Sequence, residues 1–400
     1  MKERLFDVVV AGGGPVGWAC ALAAKASLGK HARIAVIERD SLPIINTDDP
    51  ISARVYTVAA GNLAWLNEHG VKIDEARSAA VTDIQVFGRD GGDSLHVDAN
   101  DAGVNELARV IEHEALALAI AKRAQQAGVM LITGECIALH DGDAGTATRT
   151  VELADRSLLQ ARVLLAADGA HSRLREAAAM DVTRHAYSQQ GVVANLRCAE
   201  PHRGTARQWF LPDGSILALL PLPSSDGAHS VSMVWSAGTA RAELLCELSE
   251  PELLDEINGA TAGAWGIHTV ISGTRRFPLN LMRLPNPVAE RFLAIGDAAH
   301  TMHPLAGQGV NVGLADARCL FDLWRRAPEV HGDPGHALLL SRYRRERYGP
   351  TLAMQLATDG LFRLYNQVDH PLLLAAGDAG MRLLGRLPAF RRTLSSRALQ

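Results

Sequence analysis

Two short stretches of the chain hold residue types that can grip a long anionic ligand. The first is Gly12-Gly13-Gly14-Pro15-Val16-Gly17, which fits the spacing GxGxxG. In that spacing Gly12 permits a tight turn, Gly14 lets a pyrophosphate approach bare backbone, and Gly17 lets a helix pack closely. Pro15 and Val16 lie at the entry of that helix, where free N–H groups and a partial positive charge suit phosphates. Glu38, followed by Arg39, stands 21 residues beyond Gly17. A carboxylate there accepts hydrogen bonds from ribose hydroxyls. The second stretch begins at Gly296-Asp297, passes Pro304 and Gly307-Gln308-Gly309, and enters a helix at Val310 and Asn311.

GxGxxG alone does not separate NAD from FAD. The second stretch favours FAD, whose ribityl and isoalloxazine must reach beyond the first βαβ unit. Asp297, just past a strand end, suits a ribityl hydroxyl, although an acid there also suits a helix N-cap. Gly307, Gln308 and Gly309 bring backbone N–H groups to the flavin edge, where they favour negative charge on reduced flavin. Pro304 shapes the flavin face. These four are the flavin-proximal candidates, and no side chain stands out as a general base.

The elements that must position these residues follow from the hydrophobic pattern. The apolar runs Asp7–Ala11 and Ile34–Glu38, with an Ala-rich helix between, predict a parallel βαβ unit. Residues 105–127 read as helix, and 129–134 and 162–167 as strands, the latter ending in Asp168-Gly169. Between about 183 and 275 short alternating segments predict an antiparallel sheet, which a hairpin over 81–98 joins. The fold class expected is α/β: a Rossmann-like FAD-binding domain with an inserted antiparallel-sheet substrate domain and a C-terminal helical segment. The FAD-binding domain is discontinuous (1–80, 99–182 and 275–335). The substrate domain takes 81–98 and 183–274, and the helical region 336–400.

Bulk properties remove other classes. A net charge of −4 and a pI near 6.4 argue against nucleic-acid binding. Five scattered cysteines without CxxC read as reduced thiols of a cytoplasmic protein. The start MKERLFDVVVAGGG does not read as a signal peptide, and no apolar run is long enough to span a bilayer. His300 and His303 lack a carboxylate or cysteine at ligand spacing, so no metal is expected. Trp209 and Phe210 suit either a substrate pocket or a sheet core. The last 22 residues carry five arginines and no acid. They read as a solvated helix or as a basic surface for anionic lipid or a partner.

Three blocks, GGGPVG with Glu38-Arg39, AADGAHSRLR, and GDAAHTMHPLAGQGVNVGLADA, resemble the single-component FAD-dependent aromatic hydroxylases. The longer stretches ISARVYTVAAGNLAWLNEHG, YSQQGVVANLRCAEPHRGTARQWFLPDGSILALLPLP and RYRRERYGPTLAMQLATDGLFRLY are most similar to the ubiquinone-biosynthesis hydroxylase branch. The resemblance implies that Arg54 reaches the FAD phosphates or flavin and that His113 contacts FAD. It places Asp168, with Arg175 completing its block, near the pyrophosphate. Ala166, His171 and His113 depart from residues common at those positions. The implied reaction is hydroxylation of a phenolic ring, using O2 and transiently docked NAD(P)H through a C4a-hydroperoxyflavin. The implied substrate is a polyprenylated ubiquinone precursor, met by a cytoplasmic protein peripheral to the inner face of the membrane or held in a quinone-biosynthesis complex. Two alternatives share the fold: another flavoenzyme, such as a halogenase or prenyl reductase, and a non-catalytic flavin-binding subunit.

Overall fold

The run Arg4–Ala11 is buried at Phe6 and from Val8 to Ala11, as a strand covered on both faces must be. It is the central strand of a computed structural model that describes residues 4–366 except 47–48, 90, 142–146, 225–226, 305–306 and 327–331. Parallel to it lie Leu158–Ala166 on one side and Ile34–Glu38 on the other, and Phe292–Ala294 and Met130–Thr133 extend the sheet. The register decides where the site forms. Ala11 pairs with both Ile37 and Ala166, and Ala166 pairs with Ala294. The carboxyl ends of these strands therefore stop in line. At roughly 4.8 Å per strand, Ala11 and Ala294 are about 10 Å apart.

Helices Pro15–Leu28, His113–Gln126 and Gln308–Arg325 cover one face of this sheet. The antiparallel strands Cys136–Asp141 and Arg149–Leu153, with the short helix Arg173–Ala177, cover the other. The first and third helices touch through small residues. A Cβ added at Gly313 would lie 2.5 Å from Val16 Cγ2, and one added at Gly296 would lie 3.1 Å from Val16 Cγ1.

The second sheet runs in the order His300–Thr301, Arg275–Arg283, Thr183–Cys198, His229–Gly238, Ile216–Pro221, Thr205–Phe210, Asp83–Phe87, Asp93–Asp98. All its pairs are antiparallel except Thr205–Phe210 with Asp83–Phe87. Helices Thr239–Glu247 and Glu250–Ala260 pack on one face. Helix Ala337–Asn366 packs on the other through Phe362 and Tyr365. Both aromatics left open above lie in these cores. Trp209 stacks on Phe87 and Phe210 on Tyr365.

Two elements differ from the sequence expectation. Residues 108–112 form a strand, and the helix begins only at His113. Ala108–Glu112 is the middle strand of a small third sheet, between Val55–Ala59 and Ser78–Val81. Pairing on both edges overrides its helical composition. Residues 275–283 belong to the antiparallel sheet, although 275 was expected to reopen the nucleotide domain. The 16-residue strand Thr183–Cys198 needs a partner along its length, and Arg275–Arg283 supplies it.

Candidate active site

The chain leaves the central strand at Gly12, whose φ of +106° is open to glycine. A Cβ there would lie 2.3 Å from the Ala167 carbonyl oxygen, and one at Gly17 would lie 2.0 Å from the Gly12 carbonyl oxygen. Gly14 differs: nothing lies within 4 Å of an added Cβ. It is the N-cap of helix Pro15–Leu28, with Pro15 following and no side-chain cap. The helix entry is uncapped and open there, as a phosphate site requires. Glu38 closes the turn from the side, accepting from the N–H groups of Gly13 and Arg39. The Arg39 guanidinium extends into solvent beside Asp40.

Next along the edge is Asp168, close behind Gly12. One of its oxygens accepts a long bond of 3.4 Å from the Leu174 N–H. The other is buried without a partner. Arg175 is fully buried and donates to the carbonyls of Ala170 at 3.1 Å and Ala298 at 3.0 Å, so it ties this loop to the Asp297 loop.

Gly296, at φ +55°, starts the Asp297 loop and gives its N–H to Asp316 at 3.0 Å. Solvent reaches the Asp297 side chain, yet surrounding protein pushes its carboxyl above the usual range; His300 and Arg54 oppose that shift. An exposed carboxyl closely surrounded by protein describes an open recess. Among the described residues the Asp297 carboxylate has no hydrogen-bond partner. Gly309 forms part of the recess wall, since its added Cβ would lie 4.0 Å from Asp297 Oδ1. Gly307 is the left-handed N-cap of helix Gln308–Arg325, again without a side-chain cap, and its N–H donates to the Pro304 carbonyl at 3.0 Å. Val310 is buried in the parallel-sheet core. The Asn311 amide accepts from Ala59 N–H and Asn62, and donates to the carbonyls of Thr57 and Gly307. That fastens the helix entry to strand Val55–Ala59.

Tyr56 on the same strand, and Arg54 just before it, lie near Asp297. Arg54 Nη2 donates to the Tyr56 hydroxyl at 3.0 Å, and that oxygen lies 3.1 Å from His113 Nδ1. Burial and the Arg54 charge lower the His113 pKa to about 4. The ring is therefore neutral, and with Nδ1 as the acceptor the contact completes a relay from guanidinium to phenol to imidazole. The approach to Arg54 is fixed by Glu112, which accepts from the Ser52 N–H and pairs with buried Arg77 at 3.2 Å.

Sequence reasoning missed Tyr56, Asp316 and Arg347. Tyr56 had a signal: two residues after Arg54 on a strand, it shares its face. Asp316 is fully buried and bonds the Gly296 N–H, His300 at 2.9 Å and Arg347 Nε at 2.6 Å. Its signal was an acid on the apolar face of a helix. His300 and His303 are separated by their partners, Asp316 and Gln189 respectively.

The residues fit FAD: an open glycine turn, a second uncapped helix entry, and an unpartnered acid in a recess lie along one sheet edge. Comparison with known proteins agrees. The family described as "FAD binding domain" matches residues 6–355, and the chain belongs to it. Within it the chain is of the ubiquinone-hydroxylase branch of the FAD-dependent aromatic monooxygenases. It is 31% identical over 418 residues to the ubiquinone biosynthesis monooxygenase COQ6 of Rattus norvegicus, covering 93% of this chain and 86% of that protein. It is 30% identical over 387 residues to the ubiquinone hydroxylase UbiL of Rhodospirillum rubrum, covering 93% and 85%. Its fold is similar to that of p-nitrophenol 4-monooxygenase PnpA from Pseudomonas putida, with a TM-score of 0.79, 19% identity, and 99% and 98% of the two chains covered.

Proposed function

We propose that the chain hydroxylates the phenolic ring of a polyprenylated ubiquinone precursor, with NAD(P)H as reductant and O2 as oxygen source. The observation that carries this reading is the in-register end of three parallel strands, which sets the Gly12 turn, Asp168 and Asp297 on one edge. The branch of the family supplies the substrate class. Bound FAD supplies the redox and oxygen chemistry. The chain's own residues bind, orient and keep water out. The backbone of Gly14, Val16 and Gly17 takes the pyrophosphate, and Glu38 the ribose. Asp297 takes a ribityl hydroxyl, the Gly307–Val310 entry faces the flavin edge, and Pro304 shapes its face. Arg54, held by Tyr56 and His113, brings a fixed positive charge to the recess. NAD(P)H docks transiently.

A polyprenylated substrate resides in a membrane, and we place the protein peripherally at its surface. Among the described residues no helix is long and apolar enough to cross one. The basic residues 379–400 lie outside the described residues.

The test is a product assay on flavin-loaded protein with NAD(P)H, a prenylated phenol and 18O2. Label in the ring hydroxyl is the expected result. NAD(P)H consumption without ring label would reject the hydroxylase reading. Independently, Asp297→Ala is expected to lose FAD on gel filtration; an Asp297→Ala protein with unchanged flavin affinity removes the role given to this acid.

A further inference from the structure

A groove of about 660 Å³ lies on the side of the antiparallel sheet that helices Thr239–Glu247 and Glu250–Ala260 cover. Its apolar part includes Leu211, Pro212 and Leu248. Its rim carries four carboxylates, Asp213, Glu252, Asp255 and Glu256, against one guanidinium, Arg241. Arg241 is matched to Glu256 by an ion pair. Asp213 and Glu252 accept from Ser215 and Ser249, which holds both side chains in place. Asp255 is exposed and has no hydrogen bond or ion pair among the described residues. The groove thus offers apolar surface ringed by excess negative charge.

The course of the chain says what covers it. Helix Ala337–Asn366 ends against the groove's own turn: the Asn366 side-chain amide donates to the Gly214 carbonyl at 2.9 Å, one residue beyond Asp213. The last described residue, Asn366, therefore lies beside the turn that carries Asp213. The sequence continues for 34 residues. Its last 22 hold Arg382, Arg386, Arg391, Arg392 and Arg397 and no acid, interleaved with Met381, Leu383, Leu384, Leu387, Phe390 and Leu394. Charge and apolar content both complement the groove. The 15 residues from 367 to 381 span up to roughly 50 Å when extended, enough to reach any part of it. A short tether also gives the segment an effective concentration on the order of millimolar, so weak contacts suffice.

We infer that residues 382–397 of the chain dock in this groove, with arginines on the Asp213–Glu252–Asp255 rim and leucines on Leu211, Pro212 and Leu248. The docking is independent of flavin and of the reaction proposed above.

Hydrogen–deuterium exchange of the full-length protein tests it. Three proteins are compared in 0.1 M and 1 M NaCl: the wild type, a variant with all five tail arginines changed to Gln, and Asp255→Arg. In the wild type at low salt, peptides covering 208–215, 248–262 and the tail are expected to exchange about two- to fivefold more slowly than in either variant, as a local opening equilibrium gives. The difference should vanish in 1 M salt, where the Debye length is about 3 Å. Asp255→Arg keeps the test open if the tail variant fails to fold. Equal exchange of the groove peptides in all three proteins overturns the inference. So does tail protection that arises only with vesicles of phosphatidylglycerol and phosphatidylcholine, which would make lipid the occupant. Protection that grows with protein concentration would assign the groove to a second copy's tail and overturn it too.

Discussion

Arg54 is a long, exposed side chain, and exposed guanidiniums keep little fixed geometry unless something holds them. Here the Tyr56 ring lies 5.7 Å from the guanidinium carbon, and its hydroxyl bonds the same group. Tyr56 is in turn held by His113, whose ring packs edge-on at 5.4 Å. The relay works only while His113 Nδ1 is the unprotonated nitrogen of a neutral ring, and the lowered pKa keeps the ring neutral at neutral pH. Tyr56→Phe removes the hydroxyl and leaves the ring. It is expected to raise the His113 pKa, because the neutral imidazole loses a donor, and to weaken FAD retention through a freed Arg54. Arg54→Gln should also raise it by removing the adjacent positive charge. The His113 ring-proton titration, followed by NMR in flavin-free protein, checks both; an unchanged titration in both variants would remove the relay. The relay also explains how a histidine serves at a position where the resemblance implies a different residue. His113 and Tyr56 lie 57 residues apart, and no local pattern joins them.

At the scale of elements, the Asp297 loop is held from behind by helix Gln308–Arg325 through Asp316 and by helix Ala337–Asn366 through Arg347. Arg347 also donates to the Val312 carbonyl at 2.9 Å, so it clamps both ends of the pair. The neighbouring cations hold the Asp316 carboxyl well below the usual carboxylate range against the effect of burial. Asp316→Asn leaves a mostly buried guanidinium without its counter-charge and should cost about 3–5 kcal/mol. A lower urea midpoint with unchanged native circular dichroism is the expected signature. The Asp316 contribution is fully present above the unfolded carboxylate pKa, so mild acid does not touch it. Histidine burial sets mild-acid behaviour. His303 is fully buried between Tyr187 and Phe362, and burial lowers its pKa from 6.5 to about 4. Its nearby Asp359 opposes that shift. With the folded pKa below the unfolded one, the unfolded chain binds more protons between pH 6.5 and 4, and stability falls as pH falls through that window. His113 adds to the same slope. His303→Phe should flatten the urea midpoint against pH there, even where it lowers the plateau; an unaltered slope would exclude His303. The glycine turn and Asp297 were legible in sequence because tight backbone and a strand-end acid restrict residue type locally. The clamp was not: Asp316 and Arg347 read separately as a helix acid and a helix base. Likewise Ala108–Glu112 read as helix because the strands on both its edges are distant in sequence.

Over the whole molecule, the proposed site depends on one distance: that between the two uncapped helix entries, which we propose hold the two ends of one FAD. That distance is set where helices Pro15–Leu28 and Gln308–Arg325 cross, and there Val16 fits against Gly313 and Gly296 with no room to spare. Gly313→Ala places a methyl carbon 2.5 Å from Val16 Cγ2 unless the helices part. Overpacking of this kind costs about 1–3 kcal/mol. Separation relieves the strain in the free protein, but bound FAD must draw the two half-sites together again, so the strain reappears as lost affinity. Gly313→Ala should therefore bind FAD about 5- to 150-fold more weakly, by the usual tenfold per 1.4 kcal/mol, with a smaller loss of flavin-free stability. Val16→Ala removes the opposing methyls and leaves the backbone N–H proposed above for the phosphate. The double variant Val16→Ala, Gly313→Ala should recover most of the affinity, measured by quenching of flavin fluorescence. If Gly313→Ala retains full affinity, the helix crossing does not set the span between the half-sites. If the double variant binds no better than the single one, the loss comes from some other contact of Gly313.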